Sequence, residues 1–218
     1  MTRAGSQGKL FDLPASLPTG LVYRPDFLTK NEEEILLAYL SNLPLEHPFY
    51  EDHPANRRIM SFGWGFNFRT GRLIPGPPLP PFLSGLQHKI AKWLSVSPAR
   101  VAEALVTEYT AGSAIGWHVD NESFEKIVGI SLGAWCRMRF RPLRLNKPTS
   151  GPLRGTRDKK HIVSLELEPR SAYIMQKEIR WEWQHSIPEV EALRYSITFR
   201  TLPPGVNPRA AVARIRPC

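Results

Sequence analysis

This sequence contains few cysteines and no long apolar run. The chain has 2 cysteines, Cys136 and the terminal Cys218, so neither a disulfide-stabilised scaffold nor a cysteine-based zinc site is expected. The longest compact apolar stretch, Ile35–Leu40, is far shorter than the roughly 20 residues that cross a bilayer as a helix. The N-terminal stretch lacks the apolar run of a secretory signal. We therefore expect a cytoplasmic protein.

A chain of 218 residues holds one sizeable core and leaves little room for a second. We expect a flexible arm over residues 1–20, where Gly, Ser and Pro are frequent, a single domain over residues 21–202, and a basic tail over residues 203–218. We also expect a monomer.

Positive charge dominates the chain. The formal net charge is +9, which favours a polyanionic partner, although a merely basic soluble protein gives the same total. Part of this charge is concentrated between Pro142 and Lys160, at Arg144, Lys147, Arg154, Arg157, Lys159 and Lys160.

The order of the patterns predicts helices first and strands afterwards. A helix is expected to start after Thr29 or Asn31, with acidic residues in its first turn, and to end at Pro44. A second helix is expected over Leu83–Leu94. From Val101 onward, short strand-like runs alternate with turn signals. The sum is an α+β domain with a β-sandwich core and helices covering one sheet.

Two histidines and one aspartate form a candidate metal site. His118 and Asp120 stand two residues apart, so on a strand both point to the same side. His185 lies in a later strand-like region, WEWQHSIP. Two His and one carboxylate, with other coordination positions open, are the ligands of non-haem iron oxygenases. Taken separately, His118 and Asp120 also fit a solvated surface pair, and His185 a packed polar residue.

Two arginines on one strand form a candidate carboxylate site. Arg194 and Arg200 are six residues apart in RYSITFR, so they face the same way on a strand. Guanidinium binds carboxylate in a two-pronged manner, which suits a dicarboxylate cosubstrate. The alternative is an exposed basic edge, but Ile197 and Phe199 make the strand apolar, where an unpaired arginine is costly.

At this point the sequence resembles the AlkB family of 2-oxoglutarate dioxygenases. The resemblance rests on VTEYTAGSAIGWHVDNE (Val106–Glu122), KIVGISLGAWCRMRFR (Lys126–Arg141) and WQHSIPEVEALRYSITFR (Trp183–Arg200), and it covers residues 57–201 in all. It implies a double-stranded β-helix, or jelly roll, with N-terminal helices packed on one sheet and a nucleotide-recognition lid over residues 57–82.

The resemblance also implies cofactors and residue roles. Fe(II), held by His118, Asp120 and His185, would act with 2-oxoglutarate and dioxygen. Arg194 and the Tyr109 hydroxyl would bind the distal carboxylate of 2-oxoglutarate, and Arg200 would lie near its iron-binding end. The same pocket would include Leu105, Thr107, Ile115 and Ser196. The family often has Asn where this chain has Thr107 and Ser196, so an altered cosubstrate geometry is expected.

The implied activity is oxidative dealkylation of N-alkylated bases in DNA or RNA, with release of aldehyde, succinate and CO2. Such a base must be unpaired or flipped out, and it stacks on aromatic surfaces. The expected contacts to nucleic acid are Trp64, Phe66, Phe68, Trp117, Glu122, Arg137 and Arg139.

Two other readings of the function stay open. Many relatives have Tyr-x-Tyr where this chain has Phe66-Asn67-Phe68, so donors to phosphate are lost. This departure favours a hydroxylase that acts on a protein or a small molecule as the alternative. A binding module with a dead metal site is a third reading. The retention of all three candidate ligands and both arginines argues against it.

Overall fold

The computed structural model describes residues 17–50, 53–67, 72–143 and 162–206. Most of the predicted arm and tail, the basic segment 144–161 and Phe68 therefore lie outside the described residues. The last residues of the predicted arm, 17–20, contact the domain, since the Thr19 carbonyl accepts a hydrogen bond from the Ile179 amide. Within the described ranges, every helix is too short or too polar to span a bilayer.

The first part of the chain holds two helices and several strands. In chain order these are β1 (Leu21–Arg24), α1 (Lys30–Leu40), β2 (Phe49–Tyr50), β3 (His53–Pro54), β4 (Arg58–Asn67), β5 (Arg72–Pro75) and α2 (Pro81–Leu94).

The second part consists mostly of strands. After a 3-10 turn at Pro98–Arg100 come β6 (Val101–Tyr109), β7 (Ile115–His118), β8 (Ile127–Gly133), β9 (Cys136–Pro142), β10 (Val163–Leu167), β11 (Ala172–Met175), the single turn α3 (Glu178–Trp181), β12 (Trp183–Ile187) and β13 (Arg194–Thr201).

Local signals explain where the two long helices begin and end. The Thr29 side chain accepts from the Glu32 amide and Glu32 accepts from the Thr29 amide, which is a capping box. The predicted end at Pro44 is wrong, because α1 stops at Leu40, where the side chains of Ser41 and Asn42 bind the Ala38 carbonyl. Helix α2 begins with a proline in its first turn.

Most of the described strands form two antiparallel sheets that face each other, and β2 and β3 pair in a separate two-stranded sheet. The larger has the order β1-β11-β8-β13-β6-β4-β5, and the smaller has the order β10-β9-β12-β7. Side chains from both sheets share one buried cluster, which includes Ile127, Met138, Phe140 and Met175. This arrangement confirms the predicted α+β double-stranded β-helix.

The larger sheet separates the helices from the space between the sheets. One set of alternate residues, including Val106, Ile130 and Ile197, packs with Leu83 and Ile90 of α2 in a second buried cluster. The intervening residues of β6 and β13 point the other way, toward the smaller sheet. The prediction of helices packed on one sheet is confirmed.

Strand β4 changes partner halfway along its length. Its first part, from Arg58 to Gly63, pairs with β6, and its last part, from Trp64 to Asn67, pairs with β5. Gly63 has a φ of 82°, and a Cβ placed there would lie 2.2 Å from the Ala102 carbonyl oxygen. Only glycine fits this position. The described residues of the predicted lid segment 57–82 therefore include part of the larger sheet, the paired strands β4 and β5, and the start of α2.

Candidate metal centre and cosubstrate cavity

A cavity of about 620 Å³ lies between the two sheets. The larger sheet contributes alternate residues of β4, β6 and β13, the smaller sheet contributes residues of β7, β9 and β12, and the β4–β5 hairpin lines one part of the wall. A pocket of this size accommodates small molecules and cofactors.

His118, Asp120 and His185 meet on the wall of this cavity. His118 ends β7 and lies opposite His185 of β12 in the sheet register, and their ring centroids are 4.2 Å apart. Asp120 lies in the loop that follows β7. One ligand atom from each residue lies within 4.8 Å of the other two, so the predicted convergence is seen in the fold.

The protonation states of this cluster suit a bound cation. Burial lowers the pKa of His185 to about 3, although the negative charge of Asp120 raises it in part. The His185 imidazole is therefore neutral at pH 7. His118 uses Nδ1 to donate to the Gly116 carbonyl at 2.9 Å, which leaves Nε2 as a lone-pair donor. Burial would raise the pKa of Asp120, but Arg200 and the two histidines hold it well below its ordinary value.

One oxygen of Asp120 is left without a protein partner. Asp120 Oδ2 is buried, accepts no hydrogen bond from any described residue, and lies 3.3 Å from His185 Nε2. A carboxylate oxygen and an imidazole nitrogen held this close repel each other unless a proton or a metal ion lies between them. Two imidazoles and one carboxylate are the ligand set of non-haem Fe(II) oxygenases, so the residues present fit that metal.

Arg200 fixes the other oxygen of Asp120. Its Nη2 donates to Asp120 Oδ1 at 2.5 Å, and its Nη1 donates to Glu103 Oε2 at 2.8 Å. The Ser61 hydroxyl donates to the second oxygen of Glu103 at 2.8 Å. Burial alone would lower the pKa of Arg200, but these two carboxylates raise it. The guanidinium therefore stays charged and orients the Asp120 carboxylate.

Arg194 lies at the opposite end of β13. It pairs in register with Tyr109, whereas Arg200 pairs with Glu103, and six residue steps along the strand place the two arginines about 20 Å apart. Arg194 is 1% exposed, donates to the Ser131 hydroxyl at 3.3 Å, and has no partner for Nη1 among the described residues. Its guanidinium lies 5.2 Å from the centre of the Tyr109 ring. A buried, incompletely paired guanidinium is suited to bind a carboxylate.

The cavity wall contains the other predicted cosubstrate residues, whereas Arg194 is not among the residues that line it. Leu105, Thr107, Tyr109, Ile115 and Ser196 all line the cavity. Burial raises the pKa of Tyr109, so its phenol keeps its proton and can donate it. Thr107 and Ser196 face each other across β6 and β13 and present hydroxyls to the cavity.

The predicted substrate contacts are distributed over several surfaces. Phe66 lines the cavity, whereas Trp64 lies opposite Pro75 in the hairpin and outside the set of lining residues. Trp117 lies on the outer side of the smaller sheet, with the Arg139 and Arg141 guanidinium groups 5.1 and 4.3 Å from its ring centre.

Glu122 and Arg137 are exposed, and Arg137 forms an ion pair with Glu166 at 3.2 Å. Three of the four predicted aromatic and acidic contacts on described residues, Trp64, Trp117 and Glu122, therefore lie outside the cavity wall. Phe66 is the predicted contact that the fold brings to the cavity.

Sequence reasoning missed several residues of this site. Glu103 is one, although the strand alternation through Leu105 and Thr107 extends to it. Tyr173 and Met138 also line the cavity, and Arg57 does so as a buried cation. Arg180 is buried and binds the loop that carries Asp120. In the sequence, a lone Arg beside Trp181 carries no signal of that contact.

Comparisons with known proteins agree with this geometry. The sequence pattern of the 2OG-Fe(II) oxygenase superfamily matches residues 20–200. The alkylated DNA repair protein ALKBH8 homolog of Arabidopsis thaliana is 29% identical over 191 residues, which are 82% of this chain and 53% of that protein. Protein L905 of Acanthamoeba polyphaga mimivirus is 29% identical over 194 residues, 81% of this chain and 82% of that protein.

A third relative is much longer than the match. The tRNA (carboxymethyluridine(34)-5-O)-methyltransferase ALKBH8 of Macaca fascicularis is 27% identical over 180 residues, 80% of this chain and 25% of that protein. The chain thus spans about half of the Arabidopsis relative and a quarter of the macaque one.

Among solved structures, that of OsALKBH1 superposes with a TM-score of 0.60 at 16% identity, over 85% of this chain and 98% of that one. This likeness supports the fold, and the superfamily match supports the chemistry of the site. The chain belongs to the 2OG-Fe(II) oxygenase superfamily and is an AlkB-like dioxygenase that uses Fe(II), 2-oxoglutarate and O2.

Proposed function

We propose that this dioxygenase removes N-alkyl groups from bases in nucleic acid. In the net reaction, one oxygen atom of O2 enters succinate, the other enters the alkyl carbon, CO2 leaves 2-oxoglutarate, and the alkyl group departs as an aldehyde. Iron, 2-oxoglutarate and O2 together supply the oxidising power for this step.

The residues of the cavity divide this work between them. His118, Asp120 and His185 hold the iron, and Arg200 keeps Asp120 Oδ1 occupied so that Oδ2 faces the metal. Arg194 and Tyr109 donate to the distal carboxylate of 2-oxoglutarate. Leu105, Thr107, Ile115 and Ser196 enclose the cosubstrate between these two ends.

The observation that carries the substrate assignment is the wall of the cavity near the metal cluster. Gly63, where the β4–β5 hairpin leaves the sheet, pairs with Glu103, and Glu103 shares Arg200 with Asp120. From there the hairpin contributes Phe66 and Ile74 to the cavity wall. A flat apolar surface in the same cavity as the metal ligands suits a base that has left its stack.

Charge and relatives support the same proposal. The chain carries a net charge of +9, and Arg137, Arg139 and Arg141 share the outer face of the smaller sheet, because the intervening residues of β9 are buried. We propose that Arg137 and Arg139 contact phosphates, which makes binding depend on salt. The Arabidopsis relative bears the name of an alkylated DNA repair protein. We also place the enzyme in the cytoplasm as a monomer, as the sequence predicts.

Oligonucleotides that carry 1-methyladenine or 3-methylcytosine, in DNA and RNA, test the proposal. The enzyme is supplied with Fe(II), ascorbate and 2-oxoglutarate, and mass spectrometry follows the methyl group. We expect the base to lose one methyl group with a stoichiometric yield of succinate, and His118→Ala to abolish both products. Unchanged oligonucleotides across the whole panel, from an enzyme that converts 2-oxoglutarate, would overturn the substrate assignment.

Phe66 provides a sharper test of base stacking. Stacking of a base on an aromatic ring contributes ~1–3 kcal/mol, so Phe66→Ala should raise KM for the oligonucleotide roughly 5- to 150-fold. Conversion of 2-oxoglutarate without substrate should stay unchanged. Trp135→Ala is the matched control, because Trp135 is an exposed aromatic outside the cavity.

One observation favours a second candidate. The aromatic side chain that the β4–β5 hairpin contributes to the cavity wall is Phe66, which has no hydroxyl for a phosphate. This supports a hydroxylase that acts on a protein or a small molecule. The same assay separates the two, because in that case oligonucleotides fail to stimulate 2-oxoglutarate turnover.

A further inference from the structure

Arg180 is a buried arginine whose hydrogen bonds all go to main-chain carbonyls. It is 2% exposed. Its Nη1 donates to the Asp120 carbonyl at 3.3 Å, and its Nη2 donates to the carbonyls of Asn121 and Phe124 at 2.6 and 2.8 Å. No carboxylate of the described ranges pairs directly with it. Burial of such a cation is costly, and burial indeed lowers the pKa of Arg180.

The three carbonyls belong to the loop that carries the metal ligand. Strand β7 ends at His118, so the main chain of Asp120 lies outside the sheet ladder. The far end of this loop is attached to β13, since the Glu125 amide donates to the Thr201 carbonyl. At the near end, Arg180 is the described donor to the Asp120 carbonyl, and it shares the Asn121 carbonyl with the Phe124 amide, which donates at 3.3 Å.

Arg180 is itself held in place by the fold. It lies in α3, and its guanidinium carbon is 4.2 Å from the centre of the Trp181 ring. Its neighbour Ile179 is buried and donates its amide to Thr19. Glu178 accepts from the Trp183 indole at 3.2 Å, which ties α3 to β12, the strand that carries His185. The short segment formed by α3 and β12 therefore supplies the metal ligand His185 and, through Arg180, binds the loop that carries the metal ligand Asp120.

We infer that Arg180 is a positioning residue for Asp120. By holding the successive main-chain carbonyls of Asp120 and Asn121, it fixes the position of this loop relative to β12. The Asp120 carboxylate then reaches His185, with Oδ2 3.3 Å from Nε2. Arg180 touches neither the metal nor the cosubstrate in this role.

Charge and geometry predict opposite effects on metal affinity, which makes the role testable. Removal of a nearby positive charge would strengthen the binding of a divalent cation. Loss of the three hydrogen bonds would weaken it by freeing Asp120, and the loss of such outer partners typically costs 10–100-fold in metal affinity. Arg180→Met keeps the volume and removes both the charge and the donors, so the sign of its effect decides between them.

The experiment measures Co(II) binding to the full chain by titration, together with the visible absorption spectrum of the bound Co(II). We expect Arg180→Met to weaken Co(II) binding at least about tenfold and to change the spectrum. We expect Arg180→Lys, which keeps the charge but cannot span three carbonyls, to weaken it as well. Arg180→Lys also serves as the test if the methionine variant does not fold.

Arg100→Met is the matched control. Arg100 likewise binds a main-chain carbonyl, that of Leu202, and one carboxylate, that of Glu125, but it contacts no candidate ligand. We expect it to lower the melting temperature and to leave Co(II) affinity and spectrum unchanged. Wild-type or tighter Co(II) binding in a folded Arg180 variant would overturn the inference, whatever its melting temperature.

Discussion

Replacement of Arg194 by methionine should separate the stability of the domain from its binding of 2-oxoglutarate. Arg194 is 1% exposed, and Nη1 has no partner among the described residues. Replacing a buried, poorly paired charge with an apolar side chain of similar size is often neutral or stabilising. We therefore expect the ligand-free Arg194→Met protein to melt at the wild-type temperature or above it.

The effect on binding has the opposite sign. A hydrogen bond to a charged group contributes ~1.5–3 kcal/mol, so the loss of a two-pronged contact to the distal carboxylate amounts to about 3 kcal/mol or more. Since 1.4 kcal/mol corresponds to a factor of ten, affinity for 2-oxoglutarate should fall at least about 100-fold.

Thermal shift with Mn(II) and 2-oxoglutarate measures this effect without turnover. A ligand at 100 times its Kd stabilises by about 2.7 kcal/mol, which is roughly 5–10 °C for a domain of this size. At a hundredfold weaker affinity the same concentration equals Kd, and the shift falls to about 1 °C.

Arg58→Met is the control for Arg194→Met. Arg58 binds Glu108 through two nitrogens at 2.8 Å, and Glu108 does not line the cavity. The 2-oxoglutarate shift should stay at its wild-type size in this variant. A full-size shift in Arg194→Met would refute the assignment of Arg194 as the carboxylate site.

Three further predictions concern the backbone, the acid response and the cavity wall. Gly63→Ala forces a Cβ to within 2.2 Å of the Ala102 carbonyl oxygen at a φ of 82°. We therefore expect this substitution to lower the free energy of unfolding by ~1–3 kcal/mol. Denaturant titration measures the change, with Gly65→Ala as the control. Since the pKa of His185 is lowered to about 3 from 6.5, the unfolded chain binds a proton that the native metal-free protein does not. Stability is then complete above pH 6.5 and decreases as the pH falls toward 3, and His185→Gln should flatten this part of the curve in urea titrations. Glu103→Gln keeps the side-chain volume but removes one of the two carboxylates that bind Arg200. We expect a lower kcat for coupled turnover and an unchanged melting-temperature shift on addition of 2-oxoglutarate. An unchanged kcat would contradict the role given to this contact.

Sequence periodicity predicted the sandwich core and the sides that its strands present. In β9, Cys136, Met138 and Phe140 are buried while Arg137 is exposed, as the alternation indicates. The sequence limited the start of α1 to Thr29 or Asn31 because capping is a local interaction, and the structure shows that the cap is Thr29. The end of α1 was misjudged, because the bonds of Ser41 and Asn42 to the Ala38 carbonyl stop the helix before Pro44 does.

The site was predictable where two residues share a strand. Arg194 and Arg200 lie on the same face of β13 because strand alternation is strict, and spacing alone gives that result, although only Arg200 is among the residues that line the cavity. Asp120 is different, since it lies beyond the end of β7 and depends on Arg180 and Arg200 for its position. These contacts join residues 60 and 80 positions apart, so no local pattern announces them.

Trp117 shows a further limit of sequence reasoning. It directly precedes a candidate metal ligand, yet alternation turns it to the outer face, where it stacks with Arg139 and Arg141. Adjacency in the chain therefore did not imply adjacency in the site.

The most direct test of the account is an anaerobic titration of the metal-free protein with Fe(II) and 2-oxoglutarate, followed by visible absorption. Chelation of Fe(II) by a 2-keto acid gives a charge-transfer band, which we predict to saturate at one iron per chain and to disappear in both His185→Ala and Asp120→Ala. A wild-type protein that gives no band, or a band of full intensity in either variant, would contradict the claim that His118, Asp120 and His185 together hold the iron.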